Sequence, residues 1–127
     1  MVRILLVDDH RILRQALARM LDTVEDFEVV GEAADGEEAI ALARTRRPDV
    51  ILMDVSMPRL NGIDATKRIH EETPGVRIIG LSMHDDANVK ASMRQAGAFC
   101  HIGKGGPLDV LFAAIRGEPV EGGRAGE

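Results

Sequence analysis

The sequence has no Trp and no Tyr, a single Cys, and no apolar run near the roughly 20 residues that a membrane-spanning helix needs. Each shortage excludes something. With three Phe as its only aromatics, 2% of the chain, it offers no platform on which bases could stack. The one thiol, Cys100, cannot close an internal disulfide. Set in an apolar stretch, it reads as a buried Cys in a reducing compartment, the cytoplasm. Basic residues are in deficit, 16 Lys and Arg against 21 Asp and Glu. The net charge of -5 and pI near 5.4 argue against direct nucleic-acid binding by this segment. At the N-terminus the short apolar stretch runs into Asp8 and Asp9 before any small-residue cleavage site, so neither a secretory leader nor a membrane association is expected.

What remains is a chain of 127 residues, 45% hydrophobic and 29% charged, a length that fits one domain with its own core. Apolar runs rich in Val and Ile stand at Val2 to Val7, Phe27 to Ala33, Val50 to Met53, Val76 to Leu81 and Ala98 to Ile102. They alternate with segments of helical period, the signature of a parallel sheet covered by helices on both faces, an α/β fold. Ile12, Leu13, Ala16, Leu17, Met20 and Leu21 recur at helical spacing. Asp35 and Glu38 form an N-cap and N3 pair for a helix through Ala43. Further helices are expected from about Gly62 to Glu71, stopped before Pro74, from about Asp86 to Ala96, stopped by Gly97, and from Pro107 with Leu108, Leu111, Phe112 and Ile115 as its apolar face. Residues 118–127 lack periodicity and apolar surface and read as a flexible tail or truncated linker after a domain of residues 1–117.

The polar residues stand at one end of this alternation. Asp8 and Asp9 follow the first strand, Asp54 ends the third, Ser82 follows the fourth and Lys104 the fifth. In open parallel sheets ligands bind beyond the strand C-termini, where strand order reverses, so residues distant in sequence converge there. Three crowded carboxylates repel one another unless a cation joins them, and oxygen ligands favour a hard ion such as Mg²⁺ or Mn²⁺. Zinc and iron are disfavoured, because no Cys/His pair has zinc spacing and His10, His70, His84 and His101 are scattered. Beside a divalent ion a carboxylate can act as nucleophile toward phosphorus and form an aspartyl phosphate, with Lys104 and Ser82 stabilising the phosphoryl oxygens.

The pattern Val7-Asp8-Asp9-His10, Leu52-Met53-Asp54-Val55-Ser56-Met57-Pro58, Asn61-Gly62, Ser82 and Lys104, in order and at the ends of the expected strands, resembles the receiver domains of bacterial response regulators. The resemblance runs from Val2 to about Gly117, and the Asp-Asp-His opening is most similar to the NarL/LuxR-type subfamily, which joins a receiver to a helix-turn-helix. It implies a flavodoxin-like (CheY-like) doubly wound fold, five parallel strands in the order 2-1-3-4-5 with five helices on two faces. It further implies that Asp54 is the phosphorylation site, taking its phosphoryl group from the phosphohistidine of a sensor histidine kinase. Asp9, Asp54 and the backbone carbonyl of Ser56 would hold Mg²⁺, with Asp8 acting through a water. Lys104 would pair with the carboxylate or the phosphate. Ser82 would swing toward the phosphoryl group and carry the region after the fourth strand with it, while Ser56 and His84 set the lifetime of the phosphate. Also implied are homodimerisation on phosphorylation, through the fourth and fifth helices or the first and fifth, and control of transcription by a DNA-binding domain outside this chain. The domain would catalyse nothing beyond its own phosphorylation and dephosphorylation. One position departs from the pattern: three residues before Lys104, where Tyr or Phe is usual, stands His101, which is smaller and, as an imidazole, can titrate near neutral pH. A pH-sensitive switch surface is the expectation there, with Phe99 as alternative packing.

Singly, these residues have plainer readings. Asp8 or Asp9 equally suits a helix cap near His10, Lys104 a solvated turn among Gly103, Gly105 and Gly106, and Ser82 a satisfied strand end. Arg44, Arg46 and Arg47 read as offsetting a helix dipole, and Met53, Met57 and Met83 as core around the site. Two other functions compete. A haloacid-dehalogenase-like phosphatase or phosphotransferase places a second Asp two residues after the nucleophile, where this chain has Ser56. A degenerate receiver used only as an interaction module would be held in one state irrespective of phosphate, and failure to bind Mg²⁺ would favour it.

Overall fold

The computed structural model describes residues 1–55, 61–83 and 87–118. Within them, β1 (Val2–Val7), β2 (Phe27–Ala33), β3 (Val50–Asp54), β4 (Arg77–Ser82) and β5 (Cys100–Gly103) alternate with α1 (Arg11–Asp22), α2 (Gly36–Arg46), α3 (Gly62–Glu72), α4 (Ala87–Ala96) and α5 (Leu108–Ile115). All strand pairs are parallel, and the sheet order is β2-β1-β3-β4-β5. The order reverses between β1 and β3, which opens the crevice the sequence pattern requires.

Alternation along each strand sorts the core into two layers. Leu5, Val7, Ile51, Met53 and Ile78 face Ala39, Ile40 and Ala43 of α2, Ala65 and Ile69 of α3, and Met93 of α4. Their neighbours Ile4, Leu6, Val50, Leu52, Ile79 and Leu81 face Ala18 and Leu21 of α1 and Leu111, Ala114 and Ile115 of α5. The central strand β3 is buried over its whole length, which is why it reads as an unbroken apolar run ending in one acid. Each fully buried Leu or Ile contributes about 1.5–3 kcal/mol, so a charge is tolerated only where the strands run out.

The element ends shift by a residue or a few from the sequence expectation, and α5 shows why. Pro107 has the φ of a helical residue, -61°, but its ψ of 139° makes it the cap, and the helix proper starts at Leu108. At α2, Asp35 caps as expected by accepting from the Glu38 amide at 2.9 Å, but the helix runs on to Arg46. Arg44 and Arg46 lie in its last turn, as the dipole reading required. Two apolar assignments are corrected. Ile12 and Leu13 of α1 are 85% and 47% exposed because Ala18 and Leu21 take the contact with the sheet. Met83, expected in the core, is 69% exposed just beyond the end of β4. Met57, Asp86 and the 119–127 part of the tail lie outside the described residues.

Candidate functional site

The backbone places Asp8 first. Its amide donates to the Ala33 carbonyl at 3.0 Å, and its own carbonyl accepts from the Arg14 guanidinium at 2.7 Å. Arg14 in turn donates to Glu32 at 2.9 Å, so β1, α1 and β2 together fix the turn. Neither Asp8 nor Asp9 caps α1: the cap residue is His10, without a side-chain cap bond. Asp8 Oδ1 instead accepts the His10 amide at 2.8 Å, which leaves Oδ2 turned to the crevice. Asp54, the last residue of β3, is 3% exposed. Gly62 at the start of α3 packs directly on it, since a Cβ there would fall on the Asp54 carbonyl oxygen and 2.7 Å from Val55 Cα.

Lys104 closes the site from the fifth strand. Its amide donates to the Ser82 carbonyl at 2.8 Å. Its Nζ lies 2.8 Å from Asp8 Oδ2 and 3.4 Å from Asp54 Oδ2 with the side chain 8% exposed, so the surface-turn reading does not hold. Burial alone would push the Asp8 carboxyl up, but the Lys104 ammonium and the His10 contacts outweigh it and hold the group below its ordinary 3.8. Lys104 shows the mirror image. Burial opposes its charge, yet the Asp8 and Asp54 carboxylates together hold the ammonium above its usual 10.5.

Asp8, Asp9, His10 and Asp54 each offer a ligand atom, and these atoms all lie within 4.8 Å of one another. That spacing and three carboxylates fit a hard divalent cation. His10 is the addition that sequence reasoning missed, having counted it among scattered histidines. Its Nδ1 stands 3.1 Å from Asp8 Oδ1 and 3.2 Å from Asp9 Oδ1. The signal was available, because the turn after β1 that exposes Asp9 must also bring its neighbour to the same rim. Ser56 and His84 fall outside the described residues.

Ser82 ends β4 and is 8% exposed. His101 reaches it, with Nε2 at 2.8 Å from Ser82 Oγ. Phe99 does not take this place: its amide donates to the Ile78 carbonyl, and the Arg77 guanidinium lies 5.9 Å from the centre of its ring. Burial pushes the Cys100 thiol up to about 12 against a small opposing effect of Arg77, so it stays protonated, as an unreactive core residue should. Beside Asp8 and Lys104 opens an apolar groove of about 430 Å³, lined among others by Leu13, Leu17 and Met20 of α1 and Leu108 and Leu111 of α5.

Comparison with known proteins agrees with this geometry. Residues 4–116 match the response regulator receiver domain. The response regulator UvrY of Escherichia coli is 41% identical over 116 residues, 91% of this chain and 53% of the relative. The response regulator GacA of Pseudomonas aeruginosa is 37% identical over 116 residues, 91% of this chain and 54% of that protein. A crystal structure of a LuxR-family two-component response regulator from an Aurantimonas species superposes with a TM-score of 0.87 at 32% identity, covering 96% of this chain and 90% of the other. The chain spans about half the length of the curated relatives it matches. With fold, strand-end acids and lysine in place, the chain belongs to the response regulator receiver domain family.

Proposed function

We propose that this chain is the phosphoacceptor switch of a two-component phosphorelay, with Asp54 as the acceptor. The observation that carries the proposal is a carboxylate at the C-terminal end of the central strand, 3% exposed, with Lys104 Nζ at 3.4 Å and the Asp8, Asp9 and His10 ligand atoms around it. An Asp54 oxygen attacks the phosphorus of the donor, the bond from phosphorus to the donor breaks, and the donor group departs with the bonding pair. Lys104 would supply positive charge, and the Ser82 hydroxyl a proton, to the new phosphoryl oxygens.

Asp9, Asp54 and the Ser56 carbonyl would hold a Mg²⁺ or Mn²⁺ ion, with Asp8 acting through a water. The ion supplies neutralisation of carboxylate and phosphoryl charge. Asp8 has a second task, since its salt bridge to Lys104 keeps that ammonium at the site between phosphorylation events. We assign the domain to residues 1–117, with the same site catalysing slow loss of the phosphoryl group, tuned by Ser56 and His84. The donor is the phosphohistidine of a sensor kinase. The output is transcription, through a DNA-binding domain beyond this segment, in keeping with the regulators that the relatives are. Dimerisation of the phosphorylated form and a cytoplasmic location complete the proposal. No helix among the described residues is long and apolar enough to cross a membrane.

Intact mass after incubation with acetyl phosphate tests the proposal. Wild type gains one phosphoryl group only with Mg²⁺, and Asp54→Asn gains none. A folded wild type that never gains mass would put the interaction-module reading in its place.

A further inference from the structure

Three successive peptide planes carry the acids at the end of β1, and each is held from a different place. The amide of Asp8 belongs to the first plane and donates to the Ala33 carbonyl at 3.0 Å. The amide of His10 belongs to the third and donates to Asp8 Oδ1 at 2.8 Å. The plane between them joins Asp8 to Asp9, and its carbonyl accepts from Arg14 Nη1 at 2.7 Å. A peptide plane is rigid and includes the Cα atoms on both sides, so a hydrogen bond to this carbonyl sets the direction in which both carboxylates leave the backbone. Arg14 reaches it from α1, with its side chain 13% exposed, and its Nε donates to Glu32 Oε1 of β2 at 2.9 Å. A guanidinium is a fixed fork that can serve two acceptors at once. Held at Glu32, it can turn away from the Asp8 carbonyl only by giving up an ion pair with β2.

The clamp is also neutral as a pair. An unbalanced cation so close to Asp8 and Asp9 would compete with a divalent ion for their charge, and Glu32 offsets it while leaving the hydrogen bond in place. We propose that Arg14 is a positioning residue for the divalent cation: clamped by Glu32, it fixes the peptide between Asp8 and Asp9 so that their carboxylates are set before the ion arrives. Without the clamp this turn must be ordered when the ion binds, and the entropy of ordering it is subtracted from affinity. The inference rests on the reading that these acids hold Mg²⁺ and adds to it the residues that set how tightly. The contact of Arg14 is with the backbone between the acids, and it acts through them.

Charge and position predict opposite signs for Arg14→Met. Loss of a positive charge near the acids, taken alone, tightens cation binding. Loss of the positioning weakens it about tenfold, the low end of what removing a group behind metal ligands costs. Isothermal titration calorimetry with MgCl₂ near pH 7.5 and at fixed ionic strength reads the sign without any phosphodonor. Arg11→Met, which removes an exposed charge three residues earlier on α1, gives the effect of charge alone. The expected order is Arg11→Met at or above wild type, Arg14→Met lowest, and Arg14→Lys between wild type and Arg14→Met, since one ammonium cannot reproduce the fork. Arg14→Met binding Mg²⁺ as tightly as wild type, or more tightly, overturns the proposal. If circular dichroism shows Arg14→Met unfolded, Arg14→Lys decides, and equal affinity of Arg14→Lys and wild type overturns it. A wild type that takes up no Mg²⁺ removes the cation reading and the proposal with it. The rate of mass gain from acetyl phosphate, followed against Mg²⁺ concentration, separates positioning from structural damage. In Arg14→Met the half-saturating Mg²⁺ concentration rises by the calorimetric factor while the rate at saturating Mg²⁺ stays at the wild-type level. A lower rate at saturation with the half-saturating concentration unchanged overturns positioning. No mass gain even in wild type removes the acceptor role of Asp54 alone, and the calorimetric order still decides the role of Arg14.

Discussion

Replacing Lys104 by Met keeps the length of the side chain and removes its charge. In wild type the ammonium sits 2.8 Å from Asp8 and 3.4 Å from Asp54 with 8% of the side chain exposed. At an effective dielectric constant near 20 each contact attracts by roughly 5 kcal/mol, and desolvation of the three groups takes back much of that. What counts for the variant is that two carboxylates stay buried without their cation, a loss of about 3–5 kcal/mol. A divalent ion can take over the role of the ammonium. Lys104→Met should therefore bind Mg²⁺ more tightly than wild type, and tenfold tighter binding would narrow the gap by about 1.4 kcal/mol at saturating Mg²⁺. Urea unfolding at pH 7, with and without Mg²⁺, measures both effects. The expected result is a large gap between the two proteins without Mg²⁺ and a narrower one with it. A loss under about 0.5 kcal/mol, which is the scale of an ordinary surface substitution, or a gap that Mg²⁺ leaves unchanged, would refute the reasoning.

The same pair fixes a pH dependence. Asp8 is held below 3.8, so its contribution to stability is complete above that pH and is lost as pH falls through the lowered folded value. Lys104 is held above 10.5, so its contribution is complete below that pH and is lost as pH rises through the raised folded value. The stability difference between wild type and Lys104→Met, followed by denaturant titration across pH, should be level between these limits and close beyond each. Gly62→Ala pushes a methyl group into the backbone at Asp54 and Val55. It should cost about 1–3 kcal/mol and slow the Mg²⁺-dependent mass gain more than an Ala substitution elsewhere on α3. Gly97, at φ 115°, ends α4 against the His70 ring. Gly97→Ala should lower stability by about 1–3 kcal/mol in thermal unfolding, while phosphoryl gain in the folded protein stays at the wild-type level.

The sheet was legible because β1, β3 and β4 are dominated by Val, Ile and Leu, while the more mixed β2 and β5 were legible mainly through their alternation with helices. Asp8, Asp54, Ser82 and Lys104 were legible as soon as the strands were, since each closes or follows a largely apolar run, and Lys104 meets Asp8 and Asp54 through its ammonium and the Ser82 carbonyl through its amide. Three features were less legible. His10 joins the carboxylates only through the turn that Arg14 and Ala33 fix. Gly80 makes room for the ring of His101, which is 21 positions away in sequence and opposite in register. Ile12 and Leu13 have the spacing of a core face, but Ala18 and Leu21 take the contact with the sheet, and Ile12 and Leu13 are left exposed. Helical period gives the face of a helix and not the width of what covers it.

Reduction with borohydride after brief exposure to acetyl phosphate and Mg²⁺ tests the phosphoacceptor assignment most directly, because it converts an aspartyl phosphate into homoserine and leaves an ordinary Asp untouched. Peptide mass mapping should find homoserine at position 54 alone, with Asp8 and Asp9 unchanged and no conversion when Mg²⁺ is withheld. Homoserine at position 8 or 9, or a phosphoryl group carried on a His while Asp54 stays intact, would contradict it.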